Sequence, residues 1–483
     1  MSVSDTGDRS SHFPASLPLA LALLLTAIGL WLRLHDITAQ SLWWDEVTSW
    51  QQARLDLPGL IKATAADNYP PLHNLLLHFS MQLLGDTPFA LRLPSALLGG
   101  LSILALYWAG SLIAGRPAAL LAATLFCLSG FDIWYSQEAR GYALMAFASI
   151  VYAGAALRFA IDARRNWGIA TVLAGALLLY SHTYGALQWA ALSLAILPVA
   201  WRRHSGATAM RILLVEAVAL LLFLPWGIVL LGRAKIVDAS AFWIPSVTPQ
   251  HIYYYLLQLV TGRILFFALV LGGILAALPP LFRRQARVLA VLDGADLPML
   301  GRGERLFLLA LWGFLPLVLG IIASLLTEPV LYPRYLIGSL PALLLFACDG
   351  YARLPRNLLG ALGLGLLGFC GFTGLVGSGP PDRDDFRDLS QFLTAQLRPG
   401  DCVVMTPESQ IAMTYYDRQG FACSVVTPHV AAATFATPPP RIWVIENTHD
   451  RETDHPDVTA LGHLDGENNF GDTRLLLVSP KPN

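Results

Sequence analysis

The sequence predicts an all-α polytopic membrane domain of about eleven transmembrane helices plus interfacial helices, followed by a small C-terminal α/β domain. Three observations carry this expectation. Charged residues make up only 13% of the 483-residue chain, against roughly 25% in a soluble domain. The mean hydropathy is +0.54 and 55% of the residues are hydrophobic, which is a membrane composition. Near residue 380 the long apolar runs give way to short segments of alternating character.

The elements follow in order. Residues 1–14 are expected to form a disordered cytoplasmic N-terminus. Leu17–Leu32 is apolar, and Trp31-Leu32-Arg33-Leu34 closes it without a small-residue cleavage site. It therefore reads as a retained anchor and not a signal peptide. A spanning helix needs about 20 mostly apolar residues. Candidate spans lie at 15–34, 93–114, 117–133, 141–161, 167–181, 184–201, 210–231, 263–282, 305–326, 333–351 and 356–377. Leu72–Leu84 is too short and holds His73, Asn74, His78 and Gln82, so it reads as a helix lying in the interface. The transmembrane domain then covers 15–379, with a first outer loop at 36–92. There is no internal repeat.

Charge gives the expected orientation. Arg116, Arg158/Arg164/Arg165, Arg202/Arg203, Arg283/Arg284/Arg287 and Arg353/Arg356 all fall on one side of these spans. The positive-inside rule makes that side the cytoplasm. The turn at Gln137–Arg140, His182, the 232–262 loop, Arg334 and the tail are then outside. With a non-crossing Leu72–Leu84, the first loop is outside too. This places the protein in the plasma (inner) membrane, with its C-terminal domain extracytoplasmic.

The tail, 380–483, holds 15 of the 33 acidic and 8 of the 32 basic residues. A basic membrane body with an acidic tail excludes nucleic acid as a partner, because that needs a clustered basic surface. Asp384–Gln396 reads as an amphipathic helix. Cys402–Met405, Phe421–Val426, Arg441–Ile445 and Thr473–Val478 read as strands, with a helix reaching Arg418 after the first. Cys127, Cys348 and Cys370 lie in apolar runs and read as core residues. Cys402 and Cys423 are able to pair only in an oxidising compartment.

Candidate chemistry gathers at the outer ends of the spans. Ser41-Leu42-Trp43-Trp44-Asp45-Glu46 follows the first span. Adjacent carboxylates cannot both point one way, so one can face a cavity while the other meets backbone or metal. An Asp at such a junction is also an ordinary N-cap, and the tryptophans are ordinary interface-belt residues. Asp67-Asn68-Tyr69-Pro70-Pro71-Leu72-His73 carries a diproline able to start a helix. Trp134-Tyr135-Ser136-Gln137-Glu138-Ala139-Arg140 places a Glu and an Arg at the membrane edge, where charge is costly unless paired or solvated. Ser181-His182-Thr183-Tyr184 and Tyr332-Pro333-Arg334-Tyr335 add a polar residue each to very apolar spans. Five polar ends on one side suggest a shared cavity. Moving a sugar from a lipid phosphate to a hydroxyl needs a base, which an Asp or Glu supplies. The leaving phosphate needs Arg, His or a metal.

These motifs, with Ala90-Leu91-Arg92-Leu93-Pro94-Ser95 and the Asp385-Phe386-Arg387 that opens the trailing domain, resemble the bacterial family-39-like membrane glycosyltransferases. That C-type class includes protein O-mannosyltransferases and the lipid A aminoarabinose transferase. The resemblance spans nearly the whole chain. It implies an inverting hexosyl- or pentosyltransferase that uses a polyprenyl-phosphate sugar donor. The acceptor is an extracytoplasmic hydroxyl on a protein, lipid or glycan of the cell envelope. Asp45 matches the catalytic position and Glu46 its neighbour. Arg334 matches a donor-phosphate position, joined by Arg140 and His182. Trp44, Tyr69, His73, Gln137, Glu138 and Tyr335 are the expected cavity residues. Many relatives carry His where Tyr69 stands, so a divalent metal is an option and not a requirement, with Glu46 and Glu138 its candidate ligands. The rival readings are a transporter, since intramembrane carboxylates often mark ion paths, and a non-catalytic envelope-assembly protein.

Overall fold

The fold is taken from a computed structural model that describes residues 16–67, 69–204, 206–233, 244–278, 300–354, 365, 385–417, 420–426, 435, 439–447 and 458–480. The expected span at 356–377 and the expected disordered N-terminus lie outside these residues, apart from position 365. The membrane body opens with α1 (Leu17–Leu34), and its first outer loop folds into three short helices, α2 (Trp44–Ala53), α3 (Leu57–Ala65) and α4 (Leu72–Leu84). Asp56 caps α3 by accepting from the Gly59 N–H, and α4 begins directly after the diproline. Then follow α5 (Pro88–Ala114), α6 (Arg116–Cys127), α7 (Gly130–Ser136), α8 (Tyr142–Asp162), α9 (Arg165–Ser181), α10 (Gly185–His204) and α11 (Gly206–Arg233). The body closes with α12 (Pro249–Leu259), α13 (Arg263–Ala277), α14 (Arg302–Leu326), a 3-10 segment Pro333–Ser339 and α15 (Leu340–Tyr351).

Five described helices are long and apolar enough to cross a membrane, or up to seven if two bent pairs each count as one span. This is a multi-pass body, with fewer qualifying spans than the eleven expected. The differences have local causes. The expected 117–133 span is α6 and α7, bent by 60° at Leu128-Ser129, where Ser129 starts a new helix by capping the Asp132 N–H. The expected 263–282 span pairs with α12, which turns by 92° through Thr261 and Gly262. Gly262 has φ 122°, a backbone shape that suits glycine. Part of the expected 232–262 loop is therefore helical, with Thr248 capping α12. The expected 333–351 span is tight 3-10 backbone for its first seven residues.

Helix contacts rely on small residues. A Cβ on Gly29 of α1 would collide with Ile103, one on Gly100 of α5 with Leu30, and one on Gly350 of α15 with the Gly272 carbonyl of α13. Close backbone approach of this kind is a common way for helices to associate in lipid. Buried charge is paired: Arg33 of α1 meets Asp132 of α7 at 2.6 Å, both fully buried. On α11, Glu216 accepts from the Tyr152 hydroxyl of α8.

The C-terminal domain holds α16 (Phe386–Gln396), β1 (Cys402–Met405), α17 (Pro407–Tyr416), β2 (Ser424–Val426), β3 (Ile442–Asn447), a short helix Val458–Leu461, β4 (Gly462–Phe470) and β5 (Thr473–Pro480). Its five-stranded sheet runs β2-β1-β3-β5-β4, parallel among the first three and antiparallel at β3/β5/β4. Cys402 and Cys423 are disulfide-bonded, stapling β1 to the turn before β2. α16 and α17 pack Phe386, Leu389, Leu393, Ala412 and Met413 on one sheet face.

Candidate active site

Everything at the site follows from the phase of α2. Trp43 is its N-cap, and Asp45 and Glu46 fall in its first turn, where the helix dipole favours carboxylates. Residues one apart on a helix diverge, whereas i, i+4 and i+7 share a face. Glu46 turns away from Asp45 into a buried pair with Arg92 of α5, at 2.8 Å from Nε and 2.6 Å from Nη2. Its Oε1 also accepts from the Ala139 N–H at 2.8 Å. Arg92 further donates to the carbonyls of Ile37, Gln40 and Ser41. One ion pair thus ties α2 and α5 to the loop after α1 and to the turn before α8.

Asp45 faces inward between two arginines. Arg140 Nη2 stands 3.8 Å from Oδ1, and Arg334 Nη2 stands 3.6 Å from Oδ2. Both distances exceed a hydrogen bond, and the buried Oδ2 receives none. All three residues are at least nine-tenths buried. Arg140 is anchored by Nη1 to Ser49 Oγ at 3.1 Å and to the Asp45 carbonyl at 3.3 Å. Its guanidinium lies over the Tyr69 ring, 4.5 Å from the centroid. Arg334 stands among the rings of Trp43, Tyr142, Tyr332 and Tyr335, at 5.0–5.8 Å. Such cation–π contacts hold a guanidinium in place without using up its N–H donors.

Beside the triad lies a cleft lined by Ser49, Gln52, Asp67, His73, Arg140 and His182, among others. Tyr69 forms part of its wall, and its hydroxyl is 3.3 Å from that of Tyr335. Burial, aided by Arg140, pushes the His73 and His182 imidazoles down to about 3, so both are neutral at physiological pH. Burial also raises the Tyr69 phenol, which stays protonated. The formal charge of the Asp45–Arg140–Arg334 triad is therefore +1, with neutral histidines and phenols around it.

The structure brings Asp45, Arg140, Arg334, His182, Tyr69, His73 and Tyr335 together. Four expectations need correction. Gln137 does not line the cavity: its carboxamide caps the C-terminal carbonyls of Leu32, Arg33 and His35, which a helix end leaves unsatisfied. Trp44 packs on the core of the C-terminal domain, and Trp43 is the indole that meets Arg334. Glu138 is buried beside Trp134, whose Nε1 donates to it. Of the two possible metal ligands, Glu46 is engaged by Arg92 and the Ala139 N–H. Among the described residues no group of three His, Cys, Asp or Glu side chains converges to hold a metal. Sequence reasoning overlooked Ser49 and Gln52, although the i, i+4, i+7 spacing from Asp45 marks them. It also gave no site role to Arg92, Asp67 or Asn74.

Residues 68–228 match the family model described as dolichyl-phosphate-mannose-protein mannosyltransferase. The fold matches ArnT from Cupriavidus metallidurans in the apo state, with TM-score 0.56 and 14% identity over 96% of this chain and 98% of that one. It also matches ArnT from the same organism bound to undecaprenyl phosphate, with TM-score 0.52 and 15% identity over 96% and 99%. The Archaeoglobus fulgidus oligosaccharyltransferase in complex with Zn and sulfate aligns at TM-score 0.50 and 12% identity, over 88% of this chain and 67% of that one. No curated protein matches the sequence. The chain thus shares its overall fold with ArnT, and the segment that matches the mannosyltransferase family model runs from the loop after α3 through most of α11.

Proposed function

We propose that this protein is a multi-pass glycosyltransferase that moves a hexosyl or pentosyl unit from a polyprenyl-phosphate donor to an acceptor hydroxyl. The observation that carries the reading is the Asp45 carboxylate held between two buried arginines, whose guanidiniums stand 3.8 and 3.6 Å from its oxygens, beyond hydrogen-bond distance. A polyprenyl-phosphate sugar is a phosphodiester with one negative charge, which complements the triad's +1. The acceptor oxygen attacks the anomeric carbon and its proton goes to Asp45. The bond from that carbon to the phosphate oxygen breaks, and its electron pair leaves on the phosphate. Arg140 and Arg334 meet the second charge that develops there, where low dielectric makes their effect large. Attack opposite the leaving phosphate inverts the anomeric centre. Glu46, locked to Arg92, positions α2 and does not touch substrate. The step as written uses only side chains of this chain.

The lipid seen with ArnT supports undecaprenyl phosphate as the carrier class. The Cys402–Cys423 bond and the arginine distribution support an extracytoplasmic site in the plasma membrane, because disulfides persist in oxidising compartments. Purified protein incubated with a panel of undecaprenyl-phosphate hexoses and pentoses and cell-envelope extract should release undecaprenyl phosphate from one of them. Release from none, by folded protein, rejects the reading. Cysteines introduced at the exposed positions Lys62 and Glu467 should both react with an impermeant maleimide in intact cells; labelling only after permeabilisation rejects the orientation.

A further inference from the structure

The α2 stripe that begins at Asp45 continues past the reacting centre. Ser49 and Gln52 follow on the same face, one and two turns on, and both line the cleft. There Gln52 Nε2 donates to Asp67 Oδ2 at 2.9 Å, and Asn74 Nδ2 donates to Gln52 Oε1. The chain of side chains Asn74–Gln52–Asp67 therefore forms one preset polar shelf drawn from α4, α2 and the loop after α3. The same cleft is lined by His182, only 2% exposed. Its Nδ1 accepts from the Tyr184 N–H at 3.0 Å. In a neutral imidazole that puts the proton on Nε2, and Nε2 is buried with no hydrogen-bond partner. A buried donor left unsatisfied is costly unless something else accepts from it. Tyr69, Tyr142 and Pro70 also line the cleft.

We infer that this cleft is a sugar-ring subsite, in which Gln52, Asp67, Asn74 and His182 read the hydroxyl pattern of one transferred or accepting monosaccharide. The inference rests on the glycosyltransferase reading and deepens it. Mixed donors and acceptors suit hydroxyls, which both donate and accept. A second phosphate is disfavoured by Asp67, and a prenyl chain by the buried polar groups, which would lose their water without compensation.

The test compares wild type with Gln52→Ala, Asp67→Asn and His182→Phe. Donor KM, acceptor KM, kcat and undecaprenyl phosphate affinity are measured in one detergent. A lost neutral hydrogen bond corresponds to about a 3- to 10-fold rise in KM, and a lost charged one to about 10-fold or more. A rise in donor KM alone, with undecaprenyl phosphate binding retained, assigns the cleft to the donor sugar. A rise in acceptor KM alone assigns it to an accepting sugar. Unchanged KM values in all three variants overturn the subsite. So does a parallel loss of undecaprenyl phosphate binding, which would make the cleft part of the phosphate site. If wild type releases no undecaprenyl phosphate from any donor, the catalytic reading itself has failed, which is a different result from unchanged KM values in an active enzyme.

Discussion

Replacing Asp45 with Asn separates base catalysis from electrostatics, because the two effects move in opposite directions. The carboxylate oxygens stand 3.6 and 3.8 Å from Arg334 and Arg140. A phosphate held by both guanidiniums would lie roughly 6 Å from that carboxylate, where like charges repel by about 3 kcal/mol at an effective dielectric of 20. Relaxation and salt reduce this, so removing the charge should tighten undecaprenyl phosphate binding by about tenfold, or 1.4 kcal/mol. Asn keeps the size but cannot accept the proton, so turnover should fall by about 10²–10⁴-fold. The assay is paired: release of undecaprenyl phosphate from the donor under saturating conditions, and equilibrium binding of undecaprenyl phosphate to the same preparation. Normal turnover in Asp45→Asn refutes the general-base role. Weaker binding with lost turnover refutes the charge argument and makes Asp45 a clamp that preorganises the arginines.

Three further outcomes follow from the same geometry. Arg334→Lys keeps the charge but loses the planar fork and its ring contacts, so turnover should drop at least about tenfold while thermal unfolding stays near wild type; unchanged kinetics would move the phosphate role to Arg140. Glu46→Gln leaves Arg92 buried without its counter-charge, a loss of about 3–5 kcal/mol for breaking a buried pair; a large fall in unfolding temperature is expected, and an unaltered one would show that Arg92 relies on the three carbonyls alone. His73 and His182 are held near 3 when folded and return towards 6.5 when unfolded, so the unfolded chain takes up protons first as pH falls. Stability is full above about 6.5 and declines below it by up to about 1.4 kcal/mol per pH unit per histidine; melting curves between pH 7 and 5 should show the decline, and it should be shallower in His182→Gln.

Much of this architecture is legible in the sequence where it rests on composition or local chemistry. The apolar runs locate the membrane body, the diproline starts α4, and the divergence of Asp45 and Glu46 follows from adjacency alone. What escapes the sequence is mostly phase, bending and distance. A hydropathy profile is continuous across Leu128-Ser129 and cannot register a 60° bend. Trp43 and Trp44 are equivalent until the N-cap is fixed, and that single step decides which indole meets Arg334. Arg92 is hidden at the mouth of an apolar helix, 46 residues from the Glu46 it binds. Strand β4 reads Gly-His-Leu-Asp-Gly-Glu-Asn-Asn-Phe, poor in strand formers, because it is an exposed edge strand ordered by its antiparallel register with β5. Arg33 and Asp132 neutralise one another from positions 99 residues apart, a pairing that no local pattern announces.

The packing of α2, the helix that carries the proposed base, gives the trailing domain a structural role. At ten residues, α2 is too short to be stable by itself, since isolated helices under about 12–15 residues are marginal in water. It therefore depends on packing, and its two faces are packed by different parts of the protein. The inner face presents Asp45, Ser49 and Gln52 to the site. The opposite side buries Val47 and Trp50 against Leu77, Leu91 and Tyr415 of α17, with the Trp50 and Tyr415 rings edge to face at 5.0 Å. Gln51 donates to Thr414 Oγ1 at 2.9 Å, and the Tyr416 hydroxyl accepts from the Leu42 N–H just ahead of the helix. Arg387 reaches the Thr38 and Ala39 carbonyls of the same loop. α17 follows β1 directly, and β1 is the strand stapled by Cys402–Cys423. Helix α2 is thus gripped from the membrane side by Glu46–Arg92 and from the other side by a sheet domain whose order is reinforced covalently. Both grips act on the backbone that carries Asp45, so the domain contributes to the position of the proposed base.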